Sequence, residues 1–280
     1  SAMDKIIVAF AGPLFSFLLA VAFAGVVWMV GKPVTQAEES TVIGWVDPDG
    51  PAWQAGIRPG DEIVEVDGIP VTKFSGASQD SLTWRIIASE GDEIEIRYKR
   101  DGQEYVTRVT PVKRETKWYE RKALRQIRVA PAHPARIYEV ATNSPAALAG
   151  LRHGDEVVRL NGQKIYSFMA VIEAEESLTN GPVKPFTLGI RRGNEEFDTV
   201  LTPVNPISPP DRGPSLGIVS WMGYTNVTLI HPSPAEQIRE SAGQIFATIG
   251  ALFSPKTDIG VQQLGGAVMI IRVYKNLFEN

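Results

Sequence analysis

Residues 6–30 carry no charged side chain and lie between Lys5 and Lys32. About 20 apolar residues cross a bilayer as a helix, so this run predicts a membrane helix within residues 1–33. Trp28, near one end, suits the interface. Beyond it the pattern shortens. Apolar residues at 63, 64 and 66, and again at 157, 158 and 160, predict strands after a Gly turn. Asp67-Gly68 and Asn161-Gly162 follow them and are strong hairpin dipeptides. Helices are predicted over 81–89, where Leu82 and Ile86 share a face, and over 168–178, where Phe168, Val171 and Ile172 do. Strand pairs then flank Asp101-Gly102 and Gly193-Asn194. After a Pro-rich stretch, 203–214, residues 216–230 read as extended. Ser233, Pro234 and Glu236 make a helix start with a capping box. Ile238, Ala242, Ile245, Phe246, Ile249, Leu252 and Phe253 form one apolar face, for packing on protein or for lying on a membrane. Near the end, the apolar run 267–273 is too short to span.

The pattern is a repeat. GPAWQAGIRPGDEIVEVDGIPV (50–71) aligns without gaps on SPAALAGLRHGDEVVRLNGQKI (144–165), taking Gly56 onto Gly150, an offset of 94 residues. That period is domain-sized and indicates duplicated domains. Pro51 and Pro145 suit the first position of a short helix and Gly56 and Gly150 its end. Each copy reads as a small α+β domain of short strands with one longer helix.

Composition removes some classes. The formal net charge of −4 argues against a nucleic-acid partner. With no cysteine, disulfides and thiolate metal sites are excluded.

The two repeat cores resemble bacterial PDZ domains. Their placement after Ala11-Gly12-Pro13, in the stretch IVAFAGPLFSFLLA with Phe15 and Phe17, resembles the site-2 protease family in its regulator-of-sigma-E branch. Where that family usually has Asn a few residues after Gly-Pro, Ser16 stands here. Leu264-Gly265-Gly266-Ala267 loosely matches a Leu-Ser-Gly-Pro that precedes the family's third membrane helix. The resemblance implies an α+β architecture with four parts: a transmembrane helix (1–33), a first PDZ domain (40–113), a second (118–205), and a linker, extended segment and amphipathic membrane-proximal helix (206–280). It implies an intramembrane zinc metalloprotease as parent, in a bacterial inner membrane, with PDZ domains on the periplasmic side. These domains would gate or recognise pre-cleaved membrane substrates such as an anti-sigma factor. Zinc is the parent's cofactor. It needs a His-Glu-x-x-His helix and an Asp-Gly motif in another span. The histidines here, His133, His153 and His231, make no such pair, and Asp67-Gly68 reads as a soluble hairpin. The chain therefore looks like a fragment from the second span to just before the third, binding no metal itself. A membrane-anchored PDZ adaptor without enzymatic activity is the alternative.

The expected partners are the membrane and the C-termini of peptides or proteins. A PDZ groove takes such a C-terminus as an added strand, with its carboxylate on backbone N–H groups. By family position the first groove would use Val42, Ile43, Gly44 and Trp45, facing 81–89. The second would use Leu124, Arg125, Gln126 and Ile127, facing 168–178.

Other motifs read as structure. Gly213-Pro214-Ser215-Leu216-Gly217 fits the Gly-x-Ser-x-Gly pattern but lacks its strand-to-helix context. His153 replaces Pro59 of the first copy at a turn. Trp53, Trp118 and Trp221 read as packing residues. The basic run 113–128 reads as a solvated linker or a contact for acidic lipid.

Overall fold

The computed structural model of the chain describes residues 2–76, 78–115, 123–179, 181–205, 213–223 and 227–254. The run 267–273, the Leu264–Ala267 match, Trp118 and the middle of the basic run lie outside them.

The charge-free segment folds as helix α1 (Ala2–Val30). Its portion Ala9–Val30, with a mean hydropathy of 2.2, is long and apolar enough to cross a bilayer. Phe10, Phe15, Phe17 and Phe23 are exposed along it, with no protein core to cover them. Gly31 donates its N–H to Val27 O, and strand β1 (Lys32–Thr35) leads away.

The first unit follows as β2 (Ile43–Val46), α2 (Pro51–Gln54), β3 (Glu62–Val66), β4 (Ile69–Pro70), α3 (Leu82–Ala88), β5 (Ile94–Arg100), β6 (Gln103–Val109) and β7 (Val129–Pro131). One sheet has the order β4-β3-β5-β6, and β2 and β7 form a second, two-stranded layer. Its core holds Ile43, Ile57, Ile63, Leu82, Ile94, Ile96 and Ile127, all fully or nearly fully buried. Each such side chain contributes roughly 1.5–3 kcal/mol by leaving water.

The second unit repeats the plan as β8 (Ala135–Val140), α4 (Pro145–Leu148), β9 (Glu156–Leu160), β10 (Gln163–Lys164), α5 (Met169–Ser177), β11 (Phe186–Arg192), β12 (Glu195–Leu201) and β13 (Ile218–Trp221). Here the layers join into one sheet, β12-β11-β9-β8-β13, with β10 on β9. Its core includes Ile137, Val157, Val171, Leu188, Ile190 and Leu216.

The duplicated motif folds alike twice. The β3–β4 turn puts Asp67 and Gly68 at φ 50° and 73°, and Asn161 and Gly162 take φ 51° and 80°. Two successive positive values are what a tight hairpin needs, and Asx-Gly supplies them at little strain. The Asp of each Gly-Asp-Glu is buried on an arginine from the next long strand. Arg100 Nε lies 2.7 Å from Asp61 Oδ1, and Arg192 Nε 2.7 Å from Asp155 Oδ1. Each arginine also donates to the carbonyl ending the short helix, Gly56 O or Gly150 O.

Only residues 132–134 separate β7 from β8, so the units abut. His133 N–H donates to Tyr166 O, and the Trp45 indole N–H donates to Glu173 Oε2 at 3.0 Å. After the second unit, β14 (Val227–Ile230) pairs antiparallel with β1, Lys32 opposite Ile230. Helix α6 (Pro234–Phe253) then starts with the expected capping box. It packs against α1, with Gln237 Nε2 donating to Ala24 O, and reaches the first unit through Lys73–Glu240 and Gln79–Gly243. On its apolar stripe Ile245, Phe246 and Phe253 remain exposed.

Candidate peptide-binding grooves

In the first unit β7 lies antiparallel on β2, with Val46 opposite Val129, Trp45 opposite Ala130 and Ile43 opposite Pro131. The segment entering β7 is held by named bonds. Val112 and Gln126 exchange N–H···O bonds at 2.9 Å, Ala52 N–H donates to Ile127 O, and Asp47 N–H donates to Arg128 O. Among the described residues β7 pairs with β2 alone, so its other edge faces α3. Between that edge and α3 runs a groove of about 340 Å³. Its apolar lining comes from Phe74, Leu82, Ile86 and Ile87, and Leu124–Val129 forms the opposite wall. The Arg125 side chain lines it while almost wholly buried, its Nη1 donating to Gly91 O at 2.9 Å. An open strand edge, an apolar helix face and a buried cation at one end suit an extended chain that ends in a carboxylate.

Two expectations about these residues change. Val42, Ile43, Gly44 and Trp45 sit behind the groove, not in it. One edge of β2 carries β7; on the other, Ile43 N–H donates to Asp61 O, Gly60 N–H donates to Ile43 O, and Val42 bridges Glu62. No edge is left there for an incoming strand. Leu124, Arg125, Gln126 and Ile127 face α3 of the first unit, not residues 168–178. The first core accordingly extends to Ile127 and Val129, beyond residue 113.

The matching wall of the second unit is residues 215–221. Val204 and Ser215 exchange bonds at 3.0 and 2.9 Å, Ala146 N–H donates to Leu216 O, and Ala141 N–H donates to Gly217 O, reproducing the first unit bond for bond. Ser215-Leu216-Gly217-Ile218 thus takes the place of Gln126-Ile127-Arg128-Val129. Arg128 and Gly217 share a positive φ, 57° and 82°. β13 is the sheet edge beside β8. The Gly-x-Ser-x-Gly match is therefore a strand entry. Ser215 Oγ donates to Glu175, and the nearby His231 is engaged elsewhere, its Nδ1 2.9 Å from Trp28 O.

Side chains of the second unit bridge this groove. Glu175 Oε1, from α5, accepts the Leu216 N–H at 2.6 Å. Phe168, just before α5, stacks on Trp221 with ring centroids 5.7 Å apart. His133 lies on the other side of Phe168, at 4.7 Å. Burial lowers its pKa despite backbone hydrogen bonds that favour the charged form, so at neutral pH it packs as an uncharged ring.

Among the described residues no group of three His, Asp or Glu side chains is placed to hold a metal. The zinc implied by the resemblance has no seat in this part of the molecule, and no step is derived through it.

Known proteins bear on these grooves. The PDZ domain family matches the chain twice, over residues 42–81 and 136–192. A Vibrio cholerae protein assigned to the zinc metalloproteases is 28% identical over 207 residues, covering 69% of this chain and 42% of its own length. The regulator of sigma-E protease RseP of Salmonella typhimurium is 27% identical over 209 residues, with the same coverage. A Staphylococcus aureus protein also assigned to the zinc metalloproteases is 26% identical over 283 residues, covering 95% of this chain and 57% of its own. The chain spans about half the length of the curated relatives it matches.

Proposed function

The chain is homologous, through its PDZ region, with the site-2 zinc metalloproteases, and from that premise we propose that it is the substrate-receiving part of an intramembrane protease of a bacterial inner membrane. In this reading α1 crosses the bilayer and the PDZ pair stands on the periplasmic side. The first groove receives the C-terminus of a membrane substrate already cut once, such as an anti-sigma factor. The peptide adds as a strand to β7 and rests its side chains on Leu82, Ile86 and Ile87, with its carboxylate at the Arg125 end. Hydrolysis belongs to zinc-bearing segments of the parent protein. One observation supports this reading above the others: the open edge of β7 faces an apolar helix across a groove with a buried arginine at one end.

The test is a titration of the full chain in detergent with a peptide library whose members carry free or amidated C-termini. Free-carboxylate peptides are expected to bind. Ile87→Glu, at a half-buried position on the groove wall, is expected to weaken them at least tenfold by placing a negative charge beside the ligand. Equal binding of amidated peptides, or no binding of either set, would overturn the receptor role.

A further inference from the structure

The two helices that face the groove walls differ at one position. Four residues after the buried Leu82, α3 carries Ile86, which lines the open first groove. Four residues after the buried Val171, α5 carries Glu175. Its carboxylate reaches the opposite wall, where Oε1 takes the Leu216 N–H at 2.6 Å and the Ser215 hydroxyl at 3.2 Å. Such a backbone N–H, in the turn entering the open strand, is the type of donor that receives a ligand's terminal carboxylate. The length of the first bond is that of a charge-assisted one. Further along β13 the Phe168 ring lies on Trp221, interplanar angle 12°, a second bridge from the helix side to the strand. α5 is also gripped from outside by the Trp45 indole on Glu173, two residues from Glu175.

We propose that the second groove is closed by its own helix, with the Glu175 carboxylate standing in for a peptide C-terminus on Leu216, so that the second unit accepts a C-terminal peptide only when Glu175 is withdrawn. This rests on the reading of the grooves as C-terminus receptors. A carboxylate tethered on the facing helix competes at an effective concentration in the millimolar range. A peptide of micromolar intrinsic affinity is then held off by roughly two to three powers of ten. The tandem therefore works with one open receptor and one latched one, and the two copies of the duplicated motif have different duties.

The experiment uses the full chain in detergent, the free-carboxylate peptide library, and the indole NMR signals of Trp84, on α3, and Trp221, on β13, as separate reporters. In the unaltered chain peptides are expected to shift Trp84 and leave Trp221 in place, at one peptide per chain. In Glu175→Ala the same library is expected to shift Trp221 as well, at two peptides per chain, with at least a tenfold gain in affinity at the second groove. A Trp221 response of equal strength in the unaltered chain would overturn the proposal, as would no Trp221 response in Glu175→Ala. A measurement free of any variant stands beside it: the Leu216 amide of the unaltered chain is expected to exchange slowly with solvent, and exchange at the rate of an open loop would equally sink the latch. A Trp221 response in Glu175→Ala with none at Trp84 in either protein would refute the first-groove reading and leave the latch standing.

Discussion

Gly44→Ala is expected to collapse the first unit and abolish peptide binding there. A Cβ at Gly44 would stand 2.3 Å from Pro131 O, 2.6 Å from Ala132 Cα and 2.7 Å from Pro131 C. All three are backbone atoms, so no rotamer change relieves the overlap, and β7 must lift off β2. Overpacking against side chains costs about 1–3 kcal/mol, and a clash with fixed backbone belongs at or above that upper end. For a unit of this size 3 kcal/mol lowers the melting temperature by roughly 12–24 °C. The loss should be local: the Trp84 signal disperses while Trp221, in a separate core, keeps its shift. A variant that melts and binds like the unaltered chain would show that β7 does not rest on β2 as described. Gly44, expected from the sequence to touch the ligand, thus matters to the groove by letting the strand that forms its wall come close.

Asp155→Asn should cost the second unit about 2–4 kcal/mol at neutral pH. The carboxylate, 1% exposed, accepts two bonds from Arg192 at 2.7 Å and the Arg152 N–H at 2.9 Å. Removing one partner of a buried pair costs about 3–5 kcal/mol, and the Arg192 side chain, 29% exposed, keeps some water, which brings the figure down. Burial by itself would raise the pKa of this acid, but the Arg192 and Arg152 hydrogen bonds and charges outweigh it and hold the pKa below the usual carboxylate value. A lowered folded-state pKa means stabilisation that is complete above the unfolded value, near 4, and is lost as pH falls through the folded one. Urea midpoints of the second unit should therefore drop between about pH 4 and pH 2, and the drop should shrink in the Asn variant. An Asn variant with an unchanged midpoint at pH 7 would remove the ion pair from the account.

Much of this architecture was legible in the residues because the deciding interactions are local. The charge-free run, the Asx-Gly turns, the capping box at Ser233 and the gapless 50–71 and 144–165 repeat each act within a few residues. The groove walls were not legible in the same way. The strand facing α3 comes after the rest of its unit in the chain, so position alone assigned Leu124–Ile127 to the wrong helix. The signal that relates the walls is weak: Gln126-Ile127-Arg128-Val129 and Ser215-Leu216-Gly217-Ile218 share only an apolar pattern around a residue of positive φ. Arg128 hides that conformation, since a non-glycine rarely adopts it. Glu175 had no signal at all. On sequence it is one acid among several on a helix face, and only the approach of residues 215–217 gives it a task. The Asp of each Gly-Asp-Glu read as a strand opener, because its arginine lies 37 or 39 residues further on.

The ribbon of β1 and β14 has a consequence for how the chain is made. Lys32 and Ile230 meet across 198 residues, so the first strand after α1 stays single until almost all of both PDZ domains has been synthesised. Such distant pairing is slow, because the loop must close before the contacts repay it. Each domain, in contrast, is finished by a strand that emerges soon after its own core, β7 and then β13. Synthesis thus completes one receptor, then the other, and clasps the pair to the end of α1 last. Until that clasp forms, the edge of β1 is open to any other strand, which makes it the position where a truncated or stalled chain is most exposed to mispairing.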